Sequence, residues 1–338
     1  MKILLYPISI IYNFFVSTRN FFFDIGIIKP IQYKIPTIGV GNLSTGGTGK
    51  SIIVDYLIEL LKKDRNVTTL SRGYNRDTRG FIKATSNSSA YEIGDEPYQF
   101  YSKHPEINVV VCEDRRKGMK LIMNDLPNTQ VCIWDDIFQH RYVKPGLMIL
   151  TTTFRYPYYK DQILPIGNLR EGKGSSKRAN IIVVTKCPNN LNRTDKDSFI
   201  SKLQPEENQK VFFSSIVYKE TLKGNEKNIK INDLKNSEFL LVTGIADSSY
   251  LVNFLKSKGL KFKHLKYADH YNFKQVSINK INSLSVNKYI ITTEKDFGRL
   301  SPKIQNRDVF YIEVSIEFPR SINHLSFDET INNFVEKN

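Results

Sequence analysis

The stretch from residue 36 to 61 constrains this chain more than any other: PTIGVGN, then LSTGGTGKS, then IIVDYLIELLKK. An apolar β-rich run, a glycine-rich turn and a segment with apolar residues on one face read as strand, loop and helix. That order builds a phosphate cradle. Gly46, Gly47 and Gly49 let backbone N–H groups turn towards a phosphate at the helix start, Lys50 brings a point charge for the β- and γ-phosphates, and Ser51 offers a hydroxyl to Mg²⁺. Ser44, Thr45 and Thr48 complete the loop, with Ser44 standing where the G-x4-G-K-[ST] pattern has its first glycine. An ordinary glycine turn feeding a helix does not require Lys-Ser at the helix start.

A nucleotide site of this kind needs an acidic element on a neighbouring strand, and QVCIWDD supplies it: Val131 to Trp134 as a buried strand ending in Asp135 and Asp136. These two carboxylates are the candidate Mg²⁺ ligands beside Ser51, the alternative being an acidic strand-end turn. Past them, LMILTTT, IIVVTK and KVFFSSIV read as further apolar strands. The expected fold is therefore α/β, a P-loop NTPase-like core with a mostly parallel sheet.

At 338 residues the chain exceeds what one hydrophobic core usually serves. The polar, Lys- and Asn-rich stretch from ENQKVFF to KNIKINDL marks a boundary near 220 to 236, after which EFLLVTG and KYIITTEKD start a smaller α/β unit. The expected organisation is an N-terminal helix over 1–30, a P-loop core over 31–232 and a C-terminal α/β domain over 233–338.

Residues 3 to 16, ILLYPISIIYNFFV, precede FFFDIGII after a basic break. This is too short and too interrupted for a confident membrane span. Leu4, Leu5, Ile8, Ile11, Phe14 and Phe15 recur at helical spacing, while Tyr6, Tyr12, Arg19 and Lys29 suit a head-group zone. A one-leaflet amphipathic anchor is the expectation; a secretory signal and a core-packing helix are its rivals. The phenylalanine cluster at 14, 15, 21, 22 and 23 favours the membrane.

The 49 Lys and Arg against 34 Asp and Glu give +15, which favours polyanionic company. The basic residues do not interleave with aromatics in a recognisable module, so nucleic acid is not an expected partner. Three cysteines without a Cys-x-x-Cys pair fit a reduced compartment, and the five histidines show no zinc spacing, so any metal arrives with a nucleotide. Lys186 in VVTKC lacks the Asn and Asp of a guanine-reading motif, which leaves adenine as the expected base.

Eight blocks run in order along the chain: VGNLSTGGTGKS (40–51), SRGY (71–74), GDEPYQF (94–100), EDR (113–115), DDIFQHR (135–141), LPIGNLREG (164–172), ADHYNF (268–273) and TTEKD (292–296). In these the chain resembles the lipid A disaccharide 4′-kinase family. The resemblance implies transfer of the ATP γ-phosphoryl group to the 4′-hydroxyl of a tetraacylated glucosamine disaccharide 1-phosphate, on the cytoplasmic face of the inner membrane. It implies Asp95 as general base assisted by His270, a pairing that requires the domain over 233–338 to close over the site, and Arg115 near the transferred phosphate. It also implies that Arg170 and Glu171 line the nucleotide side and that Glu96 and His140 line the acceptor side. Read without the resemblance, Asp95 in IGDEP is a turn residue, His270 a loop or cap histidine, Arg115 a solvated helix start and ITTEKD a strand-to-helix turn. The chain departs from the family pattern at Ile137 and beyond Arg141, where KPGLMIL follows. GDEP, QHR and ADHY outside the nucleotide core argue against a bare ATPase switch. A monomer is expected.

Overall fold

The computed structural model describes residues 2–304, 308–319 and 325–338. Its first sheet has eight strands: β1 (Thr37–Asn42), β2 (Val67–Ser71), β3 (Ile82–Lys83), β4 (Asn108–Val111), β5 (Val131–Asp135), β6 (Leu147–Thr153), β7 (Ile181–Thr185) and β8 (Lys210–Phe213), in the order β3-β4-β2-β5-β1-β6-β7-β8. All pairings are parallel except that of β3 with β4. β1 and β5 are buried along their whole length, as near-continuous apolar runs between helical layers must be.

Six helices precede β8: α1 (Tyr6–Asp24), α2 (Lys50–Leu61), α3 (Ala90–Ile93), α4 (Asp95–Lys103), α5 (Arg115–Asp125) and α6 (Arg193–Leu203). The apolar face of α2, with Ile53, Val54, Leu57 and Ile58, packs with Val40, Ile133, Ile149 and Val183 in the largest core. The glycines of β1 answer to close approach. A Cβ on Gly39 would lie 2.7 Å from Ile137 Cγ2, and one on Gly41 would lie 2.6 Å from Phe138 Cβ. The large residue at 137 is thus accommodated by the bare backbone of the neighbouring strand.

The second sheet is mixed: β9 (Ser215–Gly224), β10 (Asn228–Lys230), β11 (Phe239–Thr243), β12 (Phe262–Lys266), β13 (Ile290–Thr293) and β14 (Val309–Glu317), in the order β10-β9-β14-β13-β11-β12. Helices α7 (Ser249–Ser257), α8 (Gln275–Leu284) and α9 (Glu294–Leu300) connect its parallel strands. The apolar run KVFFSSIV spans two strands of different sheets, divided only by the buried Ser214. The second sheet therefore starts at Ser215, ahead of the composition shift at 220 to 236, because β9 places its polar stretch on a sheet edge region and not in a linker. The chain then returns: α10 (Phe327–Glu336) lays Phe327, Ile331 and Val335 into the core of the first sheet. Burying each such side chain contributes about 1.5–3 kcal/mol.

Helix α1 is inside-out relative to a core-packing helix. Its buried residues are Ser9, Asn20 and Phe23, whereas Ile8, Ile10, Ile11, Phe14, Phe15 and Phe21 are each more than half exposed. Polar bonds hold it down: Ser9 Oγ donates to Ile163 O at 3.2 Å, Tyr12 Oη donates to Arg170 O at 3.0 Å, and Arg141 donates to Asn20 O at 2.8 Å. Among the described residues no helix is long and apolar enough to cross a membrane.

Candidate active site

The glycine loop lies at the carboxyl edge of the first sheet and is fixed from three strands. Gly46 and Gly49 take φ of 105° and 88°, where a side chain would be strained, and Gly49 caps α2. Thr48 is turned inward: its hydroxyl accepts from Asn42 Nδ2 at 2.8 Å and meets Thr151 Oγ1 at 2.8 Å, while Thr185 Oγ1 donates to its carbonyl at 2.7 Å. Ser44 forms an antiparallel bridge with Leu169, and the Thr45 amide donates to Asn168 O at 2.7 Å. A bridge position needs no left-handed backbone, so serine serves where the motif has glycine. Lys186 donates from Nζ to Gly47 O at 2.8 Å, and its burial pushes its ammonium below the usual lysine range.

Asp135 and Asp136 end β5 beside this loop. Asp136, with φ of 48°, reaches Lys50 Nζ at 3.5 Å and the Arg170 guanidinium at 3.1 Å. Burial favours its neutral form, but Lys50 and Arg170 outweigh that and hold its carboxyl below the usual range. Asp135 goes the other way. Burial, then the neighbouring charge of Asp136, pushes it up to about 7. Arg115 is buried at the start of α5, donating to Cys112 O at 2.7 Å and Asp135 O at 3.1 Å, with Nε left without a partner among the described residues. Burial lowers it to about 10, so it stays cationic at neutral pH. His140 is pushed down to about 4, first by burial and then by Arg115, and is a neutral imidazole at pH 7.

Glu171 faces elsewhere. Its fully buried carboxylate accepts from Asn20 Nδ2 at 2.7 Å and Arg178 at 2.8 Å, which ties α1 to the LREG loop, while the adjacent Arg170 points to Asp136.

Asp95 opens α4 after Gly94, whose φ is 93°. A Cβ at Gly94 would lie 3.0 Å from both Gly73 Cα and Tyr74 O, so SRGY and GDEP pack backbone to backbone. Across the gap stands the second sheet. His270 Nδ1 lies 2.6 Å from Asp95 Oδ2, and its own φ of 56° is held by a bond from its amide to Gly244 O at 3.1 Å. Asp296 anchors that turn, accepting from the Gly244 amide and Thr293 Oγ1 at 2.7 Å each. Arg299 forks onto the same Asp95 carboxylate, Nε to Oδ1 at 2.6 Å and the terminal nitrogen to Oδ2. Lys295 Nζ lies 2.8 Å from His270 Nε2 and 3.3 Å from Glu96.

Asp95 and His270 thus meet, as do Lys50, Asp136 and Arg170, with Arg115 behind Asp135. Sequence reading missed Arg299, and it placed no chemistry on Lys295 or Asp296 although both stand in the TTEKD block. The spacing of Lys295 and Arg299, four residues apart on α9, puts both on one helix face and was the available signal.

A phosphate loop at the carboxyl edge of a parallel sheet, with paired aspartates beside it, defines a P-loop kinase-like α/β protein. Residues 1–334 match the family described as Tetraacyldisaccharide-1-P 4′-kinase. The tetraacyldisaccharide 4′-kinase of Flavobacterium psychrophilum is 42% identical over 98% of this chain and 96% of its own, and that of Bacteroides thetaiotaomicron is 38% identical over 88% and 82%. A crystal structure of LpxK from Aquifex aeolicus, an "apo" form in complex with ATP, superposes with a TM-score of 0.79 at 29% identity, covering 99% of this chain and 98% of that one. The chain belongs to the tetraacyldisaccharide-1-P 4′-kinase family, whose reaction is 4′-phosphorylation in lipid A biosynthesis.

Proposed function

We propose that Asp95 is the general base of this kinase and that the C-terminal unit closes over the first to complete the site. The supporting observation is the 2.6 Å contact between Asp95 of α4 and His270 of the second sheet. In the reaction, the 4′-hydroxyl oxygen of the tetraacyl disaccharide 1-phosphate bonds to the γ-phosphorus of ATP. The bond from that phosphorus to the β–γ bridging oxygen breaks, ADP leaves, and the hydroxyl proton passes to Asp95. Lys50 places positive charge where negative charge develops, Arg115 adds a buried cation behind Asp135, and His270 orients the Asp95 carboxylate.

Ser51, Asp135 and Asp136 form a donor set of hard oxygens at the phosphate loop, which fits Mg²⁺. When bound, Mg²⁺ supplies charge neutralisation on the phosphates. Arg170 holds Asp136 in place for that role. The LREG carboxylate of Glu171 acts as the anchor of α1.

The exposed apolar face of α1 supports a peripheral seat in the cytoplasmic leaflet of the inner membrane, with the polar Ser9 and Asn20 towards the protein. The surplus of basic residues suits anionic lipid head groups and a substrate that already carries phosphate. Replacing Phe14 and Phe15 by Ser is expected to raise KM for the lipid acceptor and reduce sedimentation with anionic vesicles while leaving ATP affinity alone.

The central test is transfer of labelled γ-phosphate from ATP to tetraacyl disaccharide 1-phosphate in mixed micelles, comparing wild type, Asp95→Ala and Lys50→Ala. Labelled lipid from wild type alone is the expected result. Free phosphate without labelled lipid would turn the reading towards an ATPase.

A further inference from the structure

The Asp95 carboxylate receives more positive charge than orientation by a histidine requires. Arg299 clamps it from α9 through two nitrogens, and His270 meets it from the turn ahead of α8. Asp95 itself is buried. Desolvating such a pair is costly, and its attraction repays that cost only when the geometry is good and the remaining polar atoms are bonded.

Lys295 settles the state of the imidazole. An ammonium only donates, so at 2.8 Å from Nε2 it requires Nε2 to be the acceptor. With Nε2 accepting, the imidazole carries its proton on Nδ1 and donates it to Asp95 Oδ2. The Arg299 nitrogen 3.2 Å from Nδ1 converges on that same oxygen. Counting lone pairs, Oδ2 is taken twice and Oδ1 once, by Arg299 Nε, so one acceptor position remains on Oδ1.

We propose that Arg299 and Lys295 are positioning residues for phosphoryl transfer: Arg299 keeps Asp95 ionised with a single open acceptor position for the sugar hydroxyl, and Lys295 locks His270 as the Nδ1–H tautomer. This rests on Asp95 being the base. Because α4 belongs to the first sheet's layer and α9 to the second, the clamp that leaves a single open position forms only when the two are docked. The groups facing this centre are Glu96 on α4, Tyr74 with its ring centroid 5.7 Å from that of His270, Asp269 at 3.5 Å from Lys295, and Tyr91 of α3 near Arg299. None of them supplies a second cation to Asp95.

The experiment is the pH dependence of kcat, at saturating ATP and acceptor, for wild type, Arg299→Met, Arg299→Lys, Lys295→Met and Asp95→Asn. Removing the guanidinium takes away a charge that favours the carboxylate, so the acidic limb for Arg299→Met is expected to move up by about 1 to 3 pH units. Its kcat is expected to fall about 10- to 100-fold at neutral pH, with KM for ATP nearly unchanged. Arg299→Lys keeps the charge and is expected to hold the limb near that of wild type with part of the rate lost. Lys295→Met is expected to lower kcat and to free the tautomer, read by ¹⁵N shifts of His270. An Arg299→Met enzyme with reduced rate and an unmoved limb would make the clamp a structural brace and overturn the proposal. If Arg299→Met fails to fold, a limb in Arg299→Lys displaced as far as about 1 unit would overturn it too. An Asp95→Asn enzyme that retained the wild-type acidic limb would instead overturn the underlying base assignment.

Discussion

The two walls of the cleft are built by different means. On the phosphate wall, the side-chain bonds that fix Thr48 come from β1, β6 and β7, neighbours in one parallel sheet. On the opposite wall, Asp95 depends on α4, on the His270 turn and on α9, which belong to the layers of two sheets. The first wall forms with the fold of one sheet. The second forms only on docking, so with Asp95 as the proposed base, nucleotide binding and acceptor activation are expected to be separable.

The largest test of that separation is Lys50→Ala. It removes a charge from the phosphate wall, and turnover is expected to fall by at least about 10³ together with weaker ATP binding. Asp95→Asn attacks the other wall, with kcat down about 10²- to 10⁴-fold and the dissociation constant for ATP within about twofold of wild type. Equilibrium binding of a fluorescent ATP analogue distinguishes the two. Equal loss of ATP affinity in both variants would break the comparison.

Lys186→Ala probes the seam. Its ammonium donates to the Gly47 carbonyl of the phosphate loop, yet it stands 5.6 Å from the Tyr250 ring of α7 and near Asp247, both from the second sheet's layer. Losing a charge-assisted bond contributes about 1.5–3 kcal/mol, so KM for ATP is expected to rise about 10- to 100-fold. A change in kcat with KM untouched would show that the seam serves the base wall alone.

The same asymmetry governs what could be read beforehand. The phosphate wall lies in contiguous motifs, and the order strand, glycine loop, helix has few physical alternatives. Even the Ser44 departure was harmless, because the position sits in a bridge with Leu169. Asp95 and His270 were reachable only through family resemblance, since 175 residues separate them and neither turn announces a partner. Arg299 carried no motif, because a lone arginine late in a short helix reads as a solvated last-turn cation. Helix α1 was legible as apolar, but periodicity could not say which face met the protein, and Ser9 and Asn20 decided it. The passage from one sheet to the other at Ser214 was hidden inside a single apolar run.

Glu294 offers the smallest and most local test of the docked wall. It begins α9, its Oε2 has no partner among the described residues, and Lys103 of α4 stands 4.0 Å away and also pairs with Asp55 of α2 at 2.6 Å. Burial pushes the Glu294 carboxyl up to about 7, only partly offset by Lys103. An unfolded glutamate titrates near ~4.3. Between these values the folded state holds the proton more tightly, so stability falls as pH rises through this window and is lowest once the buried group ionises. Glu294→Gln cannot ionise and is expected to be more stable than wild type by about 1–3 kcal/mol at pH 8, with the gap closing by pH 4. Urea midpoints at the two pH values measure it. A pH-independent gap would mean that Glu294 is not desolvated in solution, and that α9 sits less tightly against α4 than the Asp95 wall requires.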